Sequence, residues 1–182
     1  MELFRPTETL TIDSAIADSE RICQRMLADK RSFGLVGYVG GTPPQIAEYF
    51  GQRFGCECIN LPSTGTARDY RRSVAVARVF YDHFPASFRR PLSWAYRGMR
   101  STNRMTFPLE FEFGDTWKRD RLPVLLVDDS CLTGRTLEFW KTRIRNELGR
   151  ATCTFALTTI GRYQTDYWCY KNWHSFAWRP IG

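Results

Sequence analysis

Residues 124–136 read Val-Leu-Leu-Val-Asp-Asp-Ser-Cys-Leu-Thr-Gly-Arg-Thr, and no other stretch limits so narrowly what the chain can fold into. The four apolar residues, with valine at each end, predict a short buried strand. Two carboxylates, Asp128 and Asp129, follow where that strand is expected to leave the sheet, which is where an open α/β sheet takes its ligands. One turn later Thr133, Gly134, Arg135 and Thr136 supply hydroxyls, a permissive glycine and clustered backbone N–H groups as a helical pattern begins. Such a helix entrance cradles a phosphate. Few ligands need an acid pair beside an anion cradle. A sugar phosphate does, because its hydroxyls want carboxylate acceptors, or a cation between, while its phosphate wants donors.

Two plainer readings compete. The first strand of a phosphoacceptor receiver domain also reads Val-Leu-Leu-Val-Asp-Asp-Ser, but too few residues follow Asp129 to complete that fold, and they are poor in lysine. A strand, turn and helix with no ligand would leave two adjacent acids at a strand end, which is costly unless they are paired or bound.

The run resembles the phosphoribosyl pyrophosphate (PRPP) signature of the type I phosphoribosyltransferases: four apolar residues, an acidic pair, then a Thr-Gly-x-Thr loop. By position, the resemblance implies that Asp128 and Asp129 engage the ribose hydroxyls together with Mg2+, and that Leu132 to Thr136 holds the ribose phosphate. It implies an α/β fold: a doubly wound, mostly parallel five-stranded sheet with a small hood built from terminal segments. The implied activity is Mg-dependent transfer of the ribose phosphate of PRPP to a nucleobase-like acceptor, as in purine or pyrimidine salvage, by a homodimer.

The remaining periodicities suit one such unit. Apolar residues at helical spacing predict a helix over 11–30, and a β-branched run predicts a strand over 33–39. Gly40, Gly41, Thr42, Pro43 and Pro44 break that strand before a helix over 45–54, with Thr42 predicted as its N-cap. Residues 56–61 read as a second strand and 70–84 as a helix, followed by an alternating stretch over 107–113 and a turn at Gly114-Asp115. Leu137, Trp140, Ile144 and Leu148 share a helical face that Gly149 ends, and 152–159 reads as the last strand.

The Gly-Gly turn is a second anion candidate, since glycines let a backbone approach a phosphate beside a helix N-terminus. In the resembled family a loop here grips pyrophosphate, which implies that role for Val39, Gly40, Gly41 and Thr42. Many members carry a Lys or Arg where Val39 stands. A flap over PRPP is implied at Arg97, Gly98, Arg100 and Ser101. The aromatic tail, Tyr163 to Trp178, is either a hydrophobic cap or a set of rings for a flat base; its layout is similar to purine-type members and puts Tyr167 and Trp168 at the base. Those members usually have an Asp where Leu132 stands and a Lys near Thr158. An apolar Leu132 exchanges no proton, so the base is left open.

At 182 residues and 43% hydrophobic, the chain is expected to form one domain over 1–182, with a core of about 32–160 and a hood from 1–31 and/or 160–182. Six cysteines without a Cys-x-x-Cys pair, and two histidines, suggest neither a zinc site nor a disulfide framework. Cys131 is expected to be a packing residue. No apolar run approaches the ~20 residues of a membrane span, and no basic region leads into an apolar one, so a cytoplasmic protein without membrane contact is expected. The net charge of +7 suits a ligand bearing phosphates of about −1.5 to −2 each. It would suit nucleic acid equally, and the same fold with Thr-Gly-Arg-Thr in its loop occurs in regulators that sense nucleotides or PRPP and bind RNA or DNA. That is the alternative to the enzyme.

Overall fold

The computed structural model describes residues 9–62, 111–131, 133–159, 163–171 and 174–178. The helix predicted at 70–84, the flap residues Arg97, Gly98, Arg100 and Ser101, and Leu132 lie outside the described residues. In chain order the elements are β1 (Thr9–Leu10), α1 (Ile12–Ala28), β2 (Leu35–Val39), α2 (Pro44–Phe54), β3 (Glu57–Leu61), α3 (Asp115–Arg119), β4 (Val124–Cys131), α4 (Arg135–Leu148), β5 (Thr152–Thr159), β6 (Tyr167–Tyr170) and β7 (Ser175–Phe176). All lie in one compact unit, Met1–Pro62 with Glu110–Pro180; the other, Ser63–Leu109 with Ile181–Gly182, lies outside the described residues.

Five strands form a sheet in the order β3-β2-β4-β5-β6, and every described pairing within it is parallel. Parallel strands are stable only when covered on both faces, which is why β2 and β4 are nearly continuous in apolar residues. On one face, Ala15, Ile22, Cys23 and Met26 of α1 and Ile46, Ala47 and Phe50 of α2 pack on Val36, Leu125, Val127, Phe155 and Leu157. On the other, Leu137, Trp140, Ile144 and Leu148 of α4 pack on Leu35, Val124, Leu126 and Ala156. The doubly wound α/β architecture is therefore present. β1 and β7, from opposite ends of the chain, pair as a separate two-stranded ribbon.

Local chemistry sets the helix ends. Thr11 and Ser14 exchange side-chain and backbone bonds in a capping box at the start of α1, and Gly149, in the left-handed region, ends α4 as its spacing predicts. At the N-terminal edge of the sheet the wholly buried Arg150 donates to the carbonyls of Leu122 (2.5 Å) and Trp117 (3.2 Å) and pairs with Asp120 at 3.1 Å. A Cβ at Gly34 would lie 1.6 Å from Asp120 Oδ2, so any larger residue there would have to push the Asp120 carboxylate aside.

Four local expectations change. Gly114-Asp115 is not a turn but the entrance to α3, with Gly114 as N-cap. The N-cap of α2 is Pro43, since the Thr42 hydroxyl is engaged elsewhere. β5 is followed by β6 and β7 and so is not the last strand. The acid pair does not follow β4 but lies within it: Asp128 pairs with Ala156, and the strand continues to Cys131 because β5 is long enough to hold it. On the β2 side, however, pairing stops at Tyr38 and Val127, so there the acids stand beyond the sheet.

Candidate active site

The site begins where β2 and β4 part. Val39 is buried, and Gly40 then takes φ 67°, turning the chain out of the strand and leaving Gly40 and Gly41 exposed. Parting deprives the β4 backbone of acceptors on its neighbour. Thr42, buried at 4% exposure, supplies one: its Oγ1 accepts the Asp129 N–H at 3.0 Å and donates to the Val39 carbonyl at 2.8 Å. The Gly-Gly turn and the acidic pair are thus fastened together through one hydroxyl.

The two acids differ. Asp128 is half-buried, and its Oδ1 accepts the N–H of Ser130 at 3.2 Å. Asp129 is wholly buried, and its Oδ2 accepts the indole N–H of Trp178 at 3.1 Å. The Asp129 carbonyl also accepts from the Thr158 hydroxyl at 3.3 Å. A buried carboxylate survives only with donors, and the aromatic tail provides one. Asp128 is thus the more accessible acid, and Asp129 the one built into the wall.

The anion loop follows directly. Gly134 sits at φ 70° as the N-cap of α4, and behind it Arg135 and Thr136, both half-buried, open the helix, whose first-turn backbone N–H groups point out of its N-terminal end. Thr133 is exposed. Tyr163 lies against this loop: a Cβ on Gly134 would come within 2.0 Å of its ring. Its hydroxyl donates to Glu138 Oε1 in the first turn of α4 at 2.8 Å. That bond holds the Glu138 carboxyl below its ordinary range, while burial, reinforced by the same bond, pushes the Tyr163 phenol up. Cys131, between acids and loop, is buried, and desolvation pushes its thiol up to about 12, as suits a packing residue rather than a nucleophile.

Of the two tail residues expected at the base, Trp168 stands in one row with Asp128 and Ala156 across β6, β4 and β5, half-buried, with Lys171 Nζ 4.7 Å above its ring. Tyr167 does not face the loops. It is a core residue opposite Phe155, 4% exposed, whose hydroxyl donates to Asp29 at the end of α1. The strand alternation that puts Trp168 on the row of Asp128 turns Tyr167 to the opposite face. Arg97, Arg100 and Leu132 cannot be placed, being outside the described residues.

Residue patterns missed three contacts: the Thr42 link, the Trp178 donor and the Tyr163 ring over Gly134. Only the aromatic richness of the tail hinted at the last two. A depression of about 340 Å³ lined by Phe33, Gly34, Cys56, Glu57, Trp117 and Asp120 lies at the opposite edge of the sheet and carries none of this chemistry.

No family model matches the chain, and no curated protein matches its sequence. Solved structures do match its shape. A xanthine-guanine-hypoxanthine phosphoribosyltransferase of Helicobacter pylori superposes with a TM-score of 0.61 at 10% identity, over 94% of this chain and 92% of its own. For a purine phosphoribosyltransferase of Pyrococcus horikoshii the values are 0.60, 15%, 98% and 97%. For a hypothetical protein of Neisseria gonorrhoeae with bound ppGpp they are 0.59, 10%, 96% and 89%. The chain has the fold of the type I phosphoribosyltransferases.

Proposed function

We propose that the chain transfers the 5-phosphoribosyl group of PRPP to a purine-like heterocyclic base and releases pyrophosphate. The observation that carries this reading is the fastening of an acidic pair to an exposed Gly-Gly turn, with a helix-entrance loop immediately beyond the acids. Backbone amides of Gly40 and Gly41 would receive pyrophosphate, and those of Thr133 to Thr136 the 5-phosphate. The carboxylate of Asp128 would accept from the ribose hydroxyls, with Asp129 supporting it from behind.

In the reaction a ring nitrogen of the base bonds to the anomeric carbon as the bond from that carbon to pyrophosphate breaks. The pyrophosphate leaves with the electron pair, and the ring proton passes to solvent. The ring bears positive charge in an oxocarbenium-like transition state, which the carboxylates would stabilise. Two adjacent carboxylates suit a cation that arrives with the substrate's phosphates: the half-buried Asp128 would meet it, and Asp129, bonded to the Trp178 indole, would add its charge from behind. Mg2+ bound there would neutralise the departing pyrophosphate.

The test is pyrophosphate release from PRPP and Mg2+, scanned across purines and pyrimidines. Base-dependent release supports transfer. A second reading, a regulator that binds a nucleotide and then RNA or DNA, is favoured by the net charge of +7 and by the ppGpp-bound Neisseria neighbour. A blank panel, with RNA binding that weakens steeply as salt rises, would replace the enzyme with the regulator.

A further inference from the structure

We infer that Thr42 is a positioning residue: its hydroxyl locks the pyrophosphate turn to the acidic pair, so that the two ends of PRPP are bound as a unit. The inference rests on the phosphoribosyl reading. Thr42 is 4% exposed, and its hydroxyl already donates its one proton to Val39 O and accepts the Asp129 N–H, so it has no donor left for the oxygens of a phosphate.

The position is dictated by the sheet. β2 and β4 pair up to Tyr38 and Val127, and the next backbone donors of β4 face a neighbour that has turned away at Gly40. A hydroxyl three residues along the turn bonds back to Val39 and accepts the Asp129 amide in place of the missing carbonyl. A displacement of the Gly40-Gly41 amides is therefore passed to the acids through a chain of two bonds, and the reverse.

Two variants separate this lock from general stability. Thr42→Val keeps the branched shape and removes the hydroxyl, whereas Thr42→Ser keeps the hydroxyl. Calorimetry with Mg2+ gives affinities for PRPP and for ribose 5-phosphate, and their ratio reports what the pyrophosphate end adds. Thr42→Val is expected to lower that ratio about tenfold, Thr42→Ser to keep it within about threefold of the parent, and ribose 5-phosphate affinity to change little. Hydrogen exchange supplies a ligand-free readout: the Asp129 amide should be protected in the parent and in Thr42→Ser and exposed in Thr42→Val. A ratio unchanged in Thr42→Val, or an Asp129 amide still protected there, overturns the inference while leaving the phosphoribosyl reading intact. A parent protein that binds neither compound overturns that reading, and the inference with it.

Discussion

At the scale of single residues, the two adjacent carboxylates are not equivalent. Asp128 is half-buried on the row shared with Trp168, whereas Asp129 is sealed beneath the Trp178 indole. Asp128→Asn should lower turnover at least about tenfold, a barrier increase of ~1.4 kcal/mol, without moving the thermal midpoint. Asp129→Ala should also cost stability, about 1–3 kcal/mol, because it leaves the half-buried Trp178 indole N–H without its acceptor. Urea unfolding run beside pyrophosphate release separates the two, and equal effects of both substitutions on both readouts would erase the distinction. Gly134 makes a second residue-scale case. Alanine there would meet the Tyr163 ring at 2.0 Å and would hold φ 70°, which costs a non-glycine residue about 1–2 kcal/mol. Gly134→Ala should therefore lose 5-phosphate affinity, and adding Tyr163→Ala should recover part of the stability but not all, since the backbone penalty stays. Full recovery in the double variant would show that the ring alone requires the glycine.

At the scale of elements, the joint between α3 and β4 is held by an ion pair of which one member, Arg150, is wholly buried. Asp120→Asn leaves the carbonyl bonds of Arg150 in place but removes the compensating charge, an error that costs about 3 kcal/mol where a buried pair is broken. Denaturant midpoints should fall accordingly while ligand affinity holds, because the joint lies at the edge opposite the loops. Lost affinity with unchanged stability would contradict that separation. Elements with a strong internal period were legible in the sequence: α1, α2, β3, α4 and β5 lie within a few residues of their predicted bounds, and the face of Leu137, Trp140, Ile144 and Leu148 is buried in full. The rest depended on neighbours. The length of β4 is set by β5, which no local pattern in Asp-Asp-Ser-Cys reveals. β6 is read as strand only because Phe155, Ala156 and Thr158 offer it an edge, since Tyr-Trp-Cys-Tyr has no polar alternation. In the site, the acidic pair and the Thr-Gly-Arg-Thr loop could be found from spacing. The partners of Thr42 and Trp178 lie 87 and 49 positions away along the chain and could not.

At the scale of the molecule, the cysteines give the fold a one-sided dependence on pH. All six are free, and burial raises every thiol: Cys56 to about 11, Cys131, Cys153 and Cys169 to about 12, with Cys23 and Cys58 shifted the same way. Burial likewise raises Tyr38, Tyr163, Tyr167 and Tyr170. An unfolded thiol loses its proton near pH ~8.5, so above that the native state binds more protons than the unfolded one, and stability must fall as pH rises. The contribution is fully present below the unfolded value and drains away as pH climbs toward the raised native values. Cys131 and Cys153, 2% and 6% exposed, should alone withdraw at least about 2 kcal/mol between pH 8 and pH 10. Urea unfolding in reducing buffer at those two pH values measures the loss, and Cys153→Ala should show a shallower decline than its parent. Equal stability at both would mean that these thiols are far better hydrated than a packed parallel sheet allows.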